Sequence, residues 1–359
     1  MLISLSIIPM SQLPVCKALS ENIYVVEDSM GNVIFEGQDV EVGDKIITKD
    51  FIEYEVVDVD EVDHIAYAEY NGRYIKPNVV EEKGGLNFAS KTKKSVGLYM
   101  THNDESYVPS DGYDSIYGAG GIHDVARKLK ECFDSLGYDA DLDETLHIPH
   151  DKSAYTRSGV TAKKLLQNNP DALFDIHRDG ASRSLYVKNI DGVERCKVRI
   201  VVGQANPNNA VNLQFALYLM SVADTICPWL FLDIYNAKGH YNQALSSKAL
   251  LFEMGSHLVE KELVLNTVPY LAQVVDKTLF STIDNSEENT LLVTDRIEDD
   301  EQPNIVNNVL SSGITSTTFE SKGQGNVTTF ACLFIATSGL IGILSAYRNK
   351  KITKQKAKK

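Results

Sequence analysis

Cysteine is scarce in this chain: of 359 residues only Cys16, Cys132, Cys196, Cys227 and Cys332 are cysteines, and no two form a C-x-x-C pair. That excludes a disulfide scaffold and a thiolate zinc site. Glycine and proline are also modest, at 23 and 10, while 43% of residues are apolar and 23% charged, so collagen-like and disordered classes drop out. Positive charge is in deficit, with 35 Lys and Arg against 49 Asp and Glu for a net charge of -14. A nucleic-acid backbone is therefore excluded as the main partner. No internal repeat is visible, and there is enough apolar material for one or two cores.

The charge is unevenly placed. Val327 to Tyr347 runs 21 residues without a charge, about the length that crosses a roughly 30 Å hydrocarbon layer as a helix. Residues 348–359 follow with Arg348, Lys350, Lys351, Lys354, Lys356, Lys358 and Lys359 and no acid, a pattern that stays on the cytoplasmic side. Removing those seven cations from -14 leaves -21 for residues 1–347, an acidic body expected outside a membrane that anchors it through a C-terminal helix. Residues 1–18 resemble a signal segment, with an apolar run from Leu2 to Leu13 and small residues near Ala18, though without a basic start.

Between these ends, residues 21–80 alternate apolar and polar positions around Gly-Asn, Gly-Asp and Asn-Gly turns, which predicts a small all-β module. Residues 81–95 read as a polar linker, and 284–326, rich in Asp, Glu, Asn, Ser, Thr and Gly, as a flexible stalk. From 96 to 283 short apolar runs alternate with helical periodicity, the pattern of an α/β domain: an open, twisted, mainly parallel sheet with helices on both faces. Ile122, Val125, Ala126, Leu129, Phe133 and Leu136 mark one helical face, which Gly137 can close. Further helices are expected over Ser153 to Gln167, Asn209 to Ala223 and Val259 to Phe280, the last with a kink or restart at Pro269, and a hairpin around Asp191-Gly192.

Three apolar strands end in ionisable residues, His102, His177 and Glu253, and in open α/β sheets the crevice beyond the strand ends is where ligands bind. His102 and Glu105 have the H-x-x-E spacing, which aims an imidazole and a carboxylate at one point; His177 supplies a second imidazole. Two nitrogens, one carboxylate and an open position suit a hydrolytic Zn2+ ion better than iron or manganese. Asp104, His123 and His150 stand as substitutes for Glu105. Glu253, surrounded by Leu250, Leu251, Phe252 and Met254, fits a general base whose pKa is raised by desolvation. Arg178 is placed to hold a substrate carboxylate or oxyanion, and Asn242 and Gln243 to hydrogen-bond a peptide or glycan. The bland alternatives are exposed polar roles for His123 and His147, surface roles for His240 and His257, and a buried ion pair of Glu253 with Arg178 or Lys248.

Through THNDESY, GGIHDV, the His150-Asp151 loop with SAYTRS, DIHRDG, VVGQANPN, YNQAL and LLFEMGS, in that order from about Val96 to Phe280, the chain resembles the stage II sporulation protein P family. Its members are peptidoglycan hydrolases related to zinc-dependent N-acetylmuramoyl-L-alanine amidases. The resemblance implies cleavage of the amide between muramic acid and L-alanine by a metal-activated water, with activity on peptide cross-links as an addition. It also implies His102, Glu105 and His177 as ligands, Glu253 as base, and a glycan-cleaving protein as partner in sporulation. Family members are usually anchored near the N-terminus, whereas the apolar span here is C-terminal, and the β module at 21–80 is expected to lie outside the shared core. The competing expectations are a zinc carboxypeptidase or endopeptidase on wall peptides, and a non-catalytic wall-binding scaffold.

Overall fold

A computed structural model describes residues 23–78, 93–280 and 296–297. Five strands come first: β1 (Tyr24–Glu27), β2 (Val33–Gly37), β3 (Lys45–Thr48), β4 (Ile52–Asp60) and β5 (Ile65–Tyr74). The α/β portion follows as β6 (Lys94–Tyr99), α1 (Val108–Asp111), α2 (Ile122–Ser135), β7 (Tyr138–Asp143), α3 (Ala154–Leu166) and β8 (Ala172–Asp179). It continues through α4 (Arg183–Tyr186), β9 (Val187–Ile190), β10 (Val193–Cys196), β11 (Val198–Gly203), α5 (Asn209–Ile226), β12 (Phe231–Ala237), β13 (Ala249–Ser256) and α6 (Lys261–Phe280). A two-residue strand, β14 (Arg296–Ile297), pairs with β5.

All but β9 and β10 belong to one sheet of order β2-β1-β5-β4-β3-β12-β11-β13-β8-β6-β7. Two expectations change here. The strands between 24 and 74 are not a detached module: β3 pairs antiparallel with β12, Ile47 opposite Ile234, so they extend the α/β sheet. Val26, Phe35, Ile46, Val56 and Ala66 share a core cluster with Val201, Tyr235 and Leu251 of the later strands. The sheet is also mixed. β13, β8, β6 and β7 run parallel, but β11 is antiparallel to β13, and most pairs before residue 75 are antiparallel.

Strand alternation sorts side chains onto two faces. On one, Val96, Leu98, Phe174, Ile176, Ile200, Phe252 and Met254 pack with the apolar sides of α2, α5 and α6. On the other, Tyr99, Leu173 and Ala249 pack with Ala162 and Leu165 of α3. The α2 face is the expected one, with Ile122, Val125, Ala126, Leu129 and Phe133 buried, and Gly137 takes the left-handed φ of 84° just beyond its end. Asp191 and Gly192 both have positive φ, as the turn of the β9–β10 hairpin requires. α6 runs through Pro269 without a break.

Among the described residues no helix is long and apolar enough to cross a membrane. The apolar span at 327–347, the tail at 348–359, the segment at 1–18 and almost all of the stalk at 284–326 lie outside the described residues.

Candidate metal centre

Register places the chemistry. Arg199 of β11 lies opposite Glu253 of β13, which lies opposite His177 of β8, so three polar residues form a row across adjacent strands. Their apolar neighbours face the opposite way, so the row projects from the α3 face. Every residue of β8 is buried, including Asp175, His177, Arg178 and Asp179, and buried polar groups must find partners.

His102 enters from the loop after β6, which is pinned to β8: Thr101 N and Oγ1 donate to the Asp175 carboxylate at 2.8 and 2.6 Å. The tight turn that follows brings Glu105 N to within 3.3 Å of His102 O. Glu105 Oε1 then lies 3.0 Å from His102 Nδ1 and 3.2 Å from His177 Nδ1, while Oε2 accepts the Arg178 backbone N–H at 2.9 Å. One donor atom from each of the three lies within 4.8 Å of the others. Ligands ~2.0–2.1 Å from a tetrahedral zinc ion sit about 3.3 Å apart, so this donor set fits one. His177 Nε2 approaches Asp175 Oδ1 at 3.0 Å, off the line of a good hydrogen bond. A carboxylate behind a ligating imidazole is the usual supporting arrangement.

The charges are interdependent. Burial by itself would raise the Glu105 carboxyl, but His177 and His102 outweigh it and hold it well below the usual range. Burial works to lower His177, yet Asp175 and Glu105 overcome that and hold it well above its ordinary value. For His102 burial wins and the imidazole is shifted down despite Glu105. Glu253 is pushed up to about 8, first by desolvation and then by Asp179, with His177 and Arg199 only partly opposing. Its Oε2 is buried and has no hydrogen-bond partner.

His102, Glu105, His177 and Glu253 are thus brought together around one cleft of about 170 Å³. The substrate-binding expectations fare differently. Arg178 borders the cleft, but its Nε donates to Ser106 O at 3.2 Å and its Nη2 to Asp114 O at 2.9 Å, which fixes the loop carrying Glu105. Gln243 is 1% exposed and bridges Gly203 N and Val201 O, each at 2.8 Å. Asn242 Nδ2 donates to Tyr155 O and Ser158 Oγ, both at 3.0 Å. These amides brace the cleft wall because buried backbone groups claimed them first.

Of the substitutes, His150 stacks on His102 with ring centroids 3.7 Å apart, but its Nδ1 faces Asp104 Oδ1 at 3.0 Å, outside the donor cluster. His123 faces Glu144 at 2.9 Å. His123 and His147, expected on the surface, are buried, the latter held between Met100 O and Thr161 Oγ1.

Sequence reasoning missed Arg199, Asp179, Tyr155, Phe35, Gly37, Gln38 and Asp39, all of which line the cleft. Arg199 is 1% exposed, bidentate to Asp233 at 2.7 and 3.1 Å, bonded to Asp179, and stacked 3.9 Å over the Phe35 ring. The available signal was a lone cation in the apolar run VRIVVG. Neither Arg178 nor Lys248 pairs with Glu253; its cationic neighbour is Arg199.

The model for the family described as stage II sporulation protein P matches residues 38–276. The stage II sporulation protein P of Bacillus subtilis (strain 168) is 28% identical over 182 residues, covering 45% of this chain and 45% of that protein. The chain therefore spans less than half the length of that curated relative. Among solved structures, the Ami1 amidase of Mycobacterium smegmatis is 13% identical with a TM-score of 0.38, covering 53% of this chain and 98% of that one. The CwlD amidase of Clostridioides difficile, solved with the GerS lipoprotein, is 12% identical with a TM-score of 0.36, covering 52% and 98%. Likenesses this distant carry no functional weight.

Proposed function

The chain belongs to the stage II sporulation protein P family, and from that premise we propose that it is a peptidoglycan hydrolase cutting the N-acetylmuramoyl-L-alanine amide. The observation that carries the reading is the meeting of two imidazole nitrogens on one carboxylate oxygen, with Glu253 opposite His177 on the next strand.

His102, Glu105 and His177 would hold a zinc ion, which when bound polarises the scissile carbonyl and acidifies water toward neutrality. Glu253 takes a proton from the attacking water and passes it to the leaving nitrogen, a task for which a carboxyl raised toward neutral pH is suited. A cation held by His102, Glu105 and His177 would favour the ionised form of that carboxyl, the form that accepts a proton. Arg178 and Arg199 are both committed to other partners, so the donor for the developing oxyanion must come from elsewhere. Tyr155 fits. Its ring lies 5.5 Å from His102 and 6.3 Å from His177, and its hydroxyl makes no hydrogen bond among the described residues. Burial and then Asp175 raise this phenol well above 10, so it stays a donor throughout the working range.

The sequence supports the setting: a body tethered through residues 327–347 and facing the wall, with the basic tail at 348–359 inside and a glycan-cleaving protein as partner in wall remodelling during sporulation. The test is incubation of the purified protein with cell-wall sacculi, with and without chelator, followed by mass spectrometry. Metal-dependent release of stem peptides with a free alanine amino terminus is expected. New termini only within cross-links would indicate an endopeptidase, and wall binding without any release a scaffold.

A further inference from the structure

One wall of the cleft comes from the strands before residue 75. Phe35, Gly37, Gln38 and Asp39 all border it. This segment is clamped to the floor. Arg199 Nη1 donates to Glu36 O at 2.9 Å, and Ser182 N donates to Glu36 Oε2 at 3.3 Å. Gln38 lies so close over Gly180 that a Cβ there would come within 2.3 Å of its Cδ. Asp39 follows, exposed at the mouth between buried Gly37 and Val40, with a left-handed φ of 53° that fixes its direction at a strand end.

Charge separates Asp39 from the other acids bordering the cleft. Glu105 meets two imidazoles, Asp179 meets Arg199 and Tyr186, and Glu253 stands beside the donor cluster. Of these four acids only Asp39 is exposed to solvent, and among the described residues it has neither an ion pair nor a hydrogen bond. We propose that Asp39 makes the mouth of this cleft selective for a cationic group, and that the group is the free side-chain amine of the diamino acid in an uncross-linked stem peptide. This rests on the hydrolase reading. Reach supports it: a cleft of about 170 Å³ admits only a residue or so, and the third residue of an extended stem lies roughly 7–10 Å from the scissile amide. Acylation of that amine in a cross-link removes the charge, so Asp39 tells free stems from linked ones.

The experiment is titration calorimetry on full-length Glu253→Gln, which leaves the ligand uncut. The probes are N-acetylmuramoyl tripeptides with lysine at the third position, either free or Nε-acetylated. The free amine is expected to bind about fivefold tighter at low salt, with the advantage fading at about 0.5 M salt and vanishing when Asp39→Asn is added. Asparagine tolerates the left-handed backbone, so the double variant keeps the fold. Equal affinity with Asp39 intact, a preference surviving Asp39→Asn, or no binding of either peptide overturns the proposal. Turnover of the free-amine probe by the wild-type protein, followed in parallel, reports on hydrolysis alone, so failure of the two readings is distinguishable.

Discussion

Glu253→Gln in the metal-free protein should change stability in a pH-dependent way. Glu253 has its carboxyl raised from 4.5 to about 8, so the native state binds this proton more tightly than the unfolded chain does. Well below pH ~4.5 the group is neutral in both states and costs nothing. As pH rises toward 8 the unfolded chain ionises freely while the native state resists, and stability falls, with the full cost present above pH ~8. At ~1.4 kcal/mol per tenfold change the upper bound is about 5 kcal/mol, and the solvent contact the side chain retains reduces it to about 2–3 kcal/mol. Glutamine is neutral throughout. The variant should therefore match wild type within ~0.5 kcal/mol near pH 5 and exceed it by about 2–3 kcal/mol at pH 8.5, by urea denaturation with chelator present. A difference that stays constant between those pH values would refute the assignment of Glu253 as a desolvated, unpaired carboxylate.

Tyr155→Phe should lower kcat by about 10–100-fold while leaving KM and bound metal unchanged, read by steady-state kinetics with metal analysis. After dialysis, His177→Ala should retain less than a tenth of the wild-type zinc by mass spectrometry, whereas His150→Ala, outside the donor cluster, should retain it. Arg199→Met strands two buried carboxylates, Asp179 and Asp233, and should cost about 3–5 kcal/mol by urea denaturation; a loss below ~1 kcal/mol would contradict the ion-pair geometry. A chain beginning at residue 93 should be insoluble or lack cooperative unfolding, because it exposes the β12 edge and the apolar cluster beneath β3.

Local pattern carried the α/β portion well. The apolar face of α2, the buried strands before His102 and around His177 and Glu253, and the Asp191-Gly192 turn are written within windows of a few residues, where period and turn chemistry act. Joining β3 to β12 depends on partners almost two hundred positions apart, which no window contains; alternating strands with polar turns look the same whether they close on themselves or extend another sheet. The four residues that meet in the cleft were legible because ionisable groups at the ends of apolar runs need a reason to be there. Their neighbours were not. Arg178, Asn242 and Gln243 have side chains that suit a ligand or a backbone equally, and only the fold decides that unpaired carbonyls reach them first. Tyr155 gives no sign in sequence that the left-handed turn at Tyr241 and Asn242 packs against it.

The β3–β12 seam also sets a timetable. Because the polypeptide emerges from its N-terminus, Phe35 and its neighbours wait for Arg199 and then for β12 before they can settle, and Glu253 arrives later still. Closing so long a loop is slow, and nothing resembling a working cleft exists until most of the body has been made. A cleft built this way is finished only when the sheet itself is complete.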